Sequence, residues 1–105
     1  MAEKNTQFLC RIWQLNHETD PLMWFLGYED FVRKFGQPDL RDYTVVFAGN
    51  LHTDDLEQIY TICREASPAG YRGHKMGLGD IVELISDSGS TFHYCDRVGF
   101  QAITP

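Results

Sequence analysis

The run Gln-Phe-Leu-Cys-Arg-Ile-Trp-Gln-Leu at residues 7–15 is the strongest constraint on how this chain folds. At a period of two, Phe8, Cys10 and Ile12 share one face, while Leu9, Trp13 and Leu15 share the other with Arg11. A strand that is apolar on both sides needs neighbours and cover on both, which predicts a central or covered place in a sheet. The 105 residues supply one compact core, so residues 1–105 are read as a single domain. No repeat, low-complexity tract or Ser/Gly/Pro linker divides them.

The rest of the chain alternates short elements with turn signals. Residues 16–21 are polar and read as a loop, and the short apolar run 22–28 reads as a strand. Residues 29–35 read as a short helix, since Phe31, Val32 and Phe35 share a face and Gly36 can supply the left-handed terminus. Gln37-Pro38 then blocks continuation. Tyr-Thr-Val-Val-Phe at 43–47 is β-branched and aromatic, hence a strand, with a turn expected at Ala48-Gly49-Asn50.

A second helix follows. Thr53 is its expected N-cap, Asp54 and Asp55 suit the positive first turn, and Leu56, Ile59, Tyr60 and Cys63 form its apolar stripe, which ends before Ser67-Pro68. After a loop at 68–79, residues 80–86 read as a strand, 87–90 as a hairpin loop, 91–95 as the partner strand and 98–103 as a last one. Strands outnumber helices and hairpins dominate late. The expected class is therefore α+β: a small antiparallel sheet of about five strands with two helices and a late β-hairpin.

Charge and cysteine content narrow the function. A net charge of −6 argues against a general nucleic-acid binder, because phosphate neutralisation needs a surplus of Lys and Arg on one face. No apolar run approaches the ~20 residues of a membrane span, and the first residues lack the pattern of a signal peptide. Cys10, Cys63 and Cys95 are odd in number and widely spaced, so they read as buried thiols of a reduced, cytoplasmic protein without disulfides.

The segment Tyr-Arg-Gly-His-Lys-Met-Gly-Leu-Gly-Asp-Ile-Val-Glu-Leu at 71–84, followed by Phe-His-Tyr-Cys-Asp-Arg-Val-Gly-Phe at 92–100, resembles the YodL-like domain of Gram-positive bacteria. Ile-Trp-Gln-Leu at 12–15, Phe-Leu-Gly-Tyr-Glu at 25–29, Tyr-Thr-Val-Val-Phe-Ala-Gly at 43–49 and the helix at 56–63 extend the likeness over nearly the whole chain. The family commonly has serines flanking the Met of its loop, where this chain has Lys75, Gly77 and Gly79. What the resemblance implies is a small domain of uncharacterised biochemistry. Such domains stand alone or in larger proteins of plasmids, phages and integrative elements, beside antirestriction-like and replication-associated modules. The family brings no catalytic residues.

The loop at 71–79 holds the one tight basic cluster, Arg72, His74 and Lys75, with Tyr71 as a stacking face and Gly73, Gly77 and Gly79 permitting close backbone approach. Tyr71, Arg72, Gly73, His74, Lys75 and Asp80 are accordingly the candidate binding residues, for an anion or single-stranded nucleic acid. The plainer alternative is a structured crossover in which Arg72 pairs with a carboxylate such as Asp80. His93 and Cys95 share a strand face, with Cys10 nearby, yet no pair has metal-ligand spacing. A thiol-hydrolase set around Cys95 or His93 is the third reading, and such sets can be drawn in any small domain with three Cys and four His.

The expected function is a non-enzymatic protein-interaction module of a mobile genetic element, including counteraction of a host defence. The alternative is RNA or single-stranded DNA binding through the loop. No catalytic residue, metal or cofactor is expected.

Overall fold

A computed structural model describes residues 7–105. Its core is one antiparallel sheet of β1 (Phe8–Leu15), β2 (Tyr43–Leu51), β3 (Ile81–Ser86), β4 (Gly89–Cys95) and β5 (Phe100–Ile103), ordered β2-β1-β3-β4-β5. β1 lies inside the sheet, paired to β2 and β3, as its two apolar faces require. Two helices, α1 (Tyr28–Phe35) and α2 (Leu56–Thr61), pack on opposite faces. The α+β class with five antiparallel strands and two helices is thus the observed one.

Each face has its own core. On the α2 side, Cys10, Ile12, Phe47, Val82 and Cys95 meet Ile59 and Cys63 from the helical segment and Met76 from the following loop. On the α1 side, Leu15, Tyr43, Ile81 and Tyr94 meet Met23 and Phe31. α1 ends on Gly36 at φ 84°, in the left-handed region where glycine carries no Cβ penalty. α2 runs on through a wider π-helical turn, Ile62–Ala66, which keeps Cys63 in the core.

Several local expectations are corrected. Residues 22–28 form no strand. Pro21–Met23 is a 3₁₀ turn, because Asp20 caps the Leu22 N–H at 2.9 Å and Pro21 favours the first helical position. β2 does not turn at Ala48-Gly49-Asn50 but continues to Leu51, since those residues pair with Arg11, Cys10 and Leu9 of β1. The α2 cap is Asp55, whose carboxylate accepts from the N–H groups of Glu57 and Gln58, while Thr53 accepts from Asp55 N–H. Asp80 precedes β3, the hairpin turn is only Asp87-Ser88, and β5 starts at Phe100.

Candidate functional site

The loop at 68–79 crosses the α2 side of the sheet, and Gln14 of β1 fastens it there. Gln14 is 3 % exposed, at a position where the period of β1 asks for an apolar side chain. Its Nε2 donates to Asp80 Oδ2 at 3.0 Å and to the His74 carbonyl at 2.9 Å, and lies 3.1 Å from the Tyr71 hydroxyl. Its Oε1 accepts from His74 N–H at 3.2 Å. One side-chain amide thereby binds both the N–H and the carbonyl of His74 and fixes the loop backbone against β1.

β2 supplies the second fastening. The β1–β2 register slips between Ile12↔Phe47 and Trp13↔Val45, leaving Val46 unmatched. The carbonyl of this bulged residue accepts from Arg72 N–H at 2.8 Å. The loop backbone is so close here that a Cβ on Gly73 would lie 2.1 Å from Gln14 Oε1 and 2.8 Å from Val46. Tyr71 stacks on Phe47 at 6.2 Å and donates to the His74 carbonyl at 2.8 Å. Met76 is fully buried, and Arg64 donates to its carbonyl at 3.0 Å.

Asp80 closes the loop from inside. Its Oδ2 accepts from both Gln14 Nε2 and Gly77 N–H, each at 3.0 Å, and the residue is 4 % exposed. Burial pushes its carboxyl up to about 7, against the downward pull of those hydrogen bonds and of His74. The expected Arg72–Asp80 pairing does not form. Asp80 is satisfied by an amide and a backbone N–H beneath the loop, while Arg72 is exposed above it.

Of the candidate residues, Tyr71, Gly73 and Asp80 therefore belong to the joint between loop and sheet. Arg72, His74 and Lys75 face solvent. His74 lies 5.6 Å from the ring of Trp24, which lies 6.1 Å from His17 and 6.0 Å from Phe25. Phe25, at the end of this aromatic series, is 65 % exposed, and Leu22 of the 3₁₀ turn before it is 70 % exposed. Phe25 stands at φ 61°, a backbone conformation that costs a non-glycine residue on the order of 1 kcal/mol. Beside the loop opens a groove of about 280 Å³ lined by Asn16, His17, Glu18, Arg72 and His74.

The thiol readings meet a different environment. Burial pushes the Cys10 thiol up to about 11 and those of Cys63 and Cys95 up to about 12, so all three stay protonated at neutral pH and are poor nucleophiles. His93 Nε2 lies 3.0 Å from Thr91 Oγ1, and burial lowers its pKa. Among the described residues, no three His, Cys, Asp or Glu side chains gather as metal ligands would.

The model of the YodL-like domain family matches residues 9–105. The chain belongs to the YodL-like domain family. No curated protein and no solved structure matches it. In this YodL-like domain, the Tyr-Arg-Gly run and the Asp80 that follows it are the parts that seat the loop on β1 and β2. Gln14, which completes the joint, was signalled in the sequence only as a polar residue interrupting an apolar face. No helix among the described residues is long and apolar enough to cross a membrane.

Proposed function

We propose that this YodL-like domain is a non-enzymatic interaction module of a mobile genetic element, acting in the cytoplasm on a protein partner such as a component of host defence. The observation that supports this reading is the exposure of Phe25, with Leu22 three residues before it, next to a loop fastened by Gln14 and Asp80. Large exposed apolar side chains next to fixed polar ones make the core and rim of a protein contact. Backbone strain at Phe25 is kept where its ring packs only partly, which fits a residue retained for what it presents.

Phe25→Gly tests the reading. Glycine adopts the left-handed region freely, so the variant should be at least as stable as the parent in thermal unfolding while losing the exposed ring. Tagged parent chain should enrich a specific protein from host lysate, and Phe25→Gly should not. Equal enrichment by both would refute the proposed contact.

A second reading, RNA or single-stranded DNA binding, draws support from the exposed Arg72 and Lys75 beside the stacked His74, Trp24 and His17. It requires salt-sensitive retention of a single-stranded oligonucleotide on a filter, abolished in an Arg72→Ala/Lys75→Ala double variant. Absence of retention at low salt would end it.

A further inference from the structure

The two edges of the sheet are treated differently by the fold. The β2 edge is bulged at Val46 and receives Arg72 N–H from the loop. β5, at the other edge, is Phe-Gln-Ala-Ile, with no proline, charge or bulge among the devices that usually blunt an exposed strand.

The direction of its free groups follows from the ladder. Cys95 turns both its N–H and its carbonyl toward β3, to Asp80 carbonyl at 2.8 Å and Gly79 N–H at 2.9 Å. Backbone direction alternates along a strand, so Tyr94 faces β5 and bonds with Gln101, its partner in the register. Phe100 and Ala102 must then direct their N–H and carbonyl groups away from the sheet. The hydrogen bond from Gln101 Nε2 to the Ala102 carbonyl at 3.1 Å agrees with that direction.

Pockets flank this edge on both faces. On the α2 side, a cavity of about 390 Å³ is bounded by Tyr60, Leu78 and Phe100 and by the charged Glu57, Asp96 and Arg97. On the α1 side, one of about 220 Å³ is lined by Tyr28, Glu29, Asp30, Asp96, Arg97 and Gln101. Asp30 is paired with Arg33 at 2.5 Å, and Glu29 and Asp96 against the remaining Arg97 keep the second pocket acidic.

We infer that β5 is a docking edge for a basic extended peptide that adds a sixth strand, with a lysine or arginine opposite Gln101. The main-chain groups of Phe100 and Ala102 supply the pairing, the added strand replacing or sharing the Gln101 amide at the Ala102 carbonyl. Successive side chains of an added strand point to opposite faces, so the residue opposite Gln101 falls to the acidic α1-side pocket and its neighbours to the other face. A second copy of the chain fits less well, because its own β5 carries no basic side chain for the acidic pocket. This edge is separate from the Phe25 surface, and Phe25→Gly should leave it intact.

The probe is a short fluorescent peptide alternating leucine and lysine, with a leucine–glutamate peptide as control, titrated into the full chain. The lysine peptide should bind saturably, with protection and shift of the Phe100 and Ala102 amides in NMR. Ala102→Pro removes only an outward N–H, so the fold should persist while affinity falls about fivefold or more. Glu29→Lys should weaken the lysine peptide and favour the glutamate one, and added salt should shrink that difference. Binding indifferent to both substitutions, amide shifts confined to other strands, or protection of these amides by dimerisation without peptide would overturn the inference.

Discussion

Gly73→Ala should destabilise the domain by about 1–3 kcal/mol, the usual cost of forcing an extra carbon into a packed site. The added Cβ would lie 2.1 Å from Gln14 Oε1 and 2.8 Å from Val46, so neither the loop nor the β2 bulge can keep its place. Displacing Gln14 also withdraws one donor each from Asp80 and the His74 carbonyl, leaving Gly77 N–H and the Tyr71 hydroxyl as their remaining partners. Gly77 is the internal control. Its nearest neighbour would be 3.7 Å from an added Cβ, so Gly77→Ala should stay within about 0.5 kcal/mol of the parent. Urea unfolding followed by tryptophan fluorescence measures both, and equal losses at the two glycines would refute the close-approach account. Trp24 also packs against His74, so the Gly73 variant should show an altered native fluorescence spectrum.

The same joint shows where sequence reasoning reaches and where it stops. Periodicity placed β1 inside the sheet, because two apolar faces admit few other positions, and Gly36 marked the end of α1 through a requirement on one residue. Residues 22–28 misled it: their apolar character reflects a surface aromatic series and Met23, not a strand, and Asp20 with Pro21 gave the competing local signal. Ala48, Gly49 and Asn50 look like a turn in isolation and are held extended only by pairing with β1, a tertiary contact that propensity does not contain. The candidate loop was found from its basic and glycine residues. Its division into an inward set (Tyr71, Gly73 and Asp80) and an outward set (Arg72, His74 and Lys75) depends on Gln14, fifty-seven residues before Tyr71. Long-range hydrogen bonds of this kind leave no local trace beyond a polar residue on an apolar face.

Asp80→Asn should be more stable than the parent above pH 7 and should lose part of the parent's pH dependence. Burial raises the Asp80 carboxyl from 3.8 to about 7, so between those values the folded chain holds a proton that the unfolded chain has released. Stability from this group is therefore full below about pH 4, falls as pH rises and levels off above about pH 7. Asparagine cannot ionise, yet its side-chain oxygen can accept from Gln14 Nε2 and Gly77 N–H as Asp80 Oδ2 does. Asp80→Ala removes that acceptor and should destabilise at every pH, which separates the cost of charge from the loss of hydrogen bonds. Denaturant midpoints for the three chains from pH 4 to pH 8 decide the matter. Parallel curves for the parent and the Asp80→Asn variant would show that the carboxylate is charged in the fold throughout, and the loop would then rest on an ionised joint. A narrowing gap toward low pH would instead mean that the loop carrying Arg72, His74 and Lys75 is held most firmly in mildly acidic solution and loosens as the buried proton leaves.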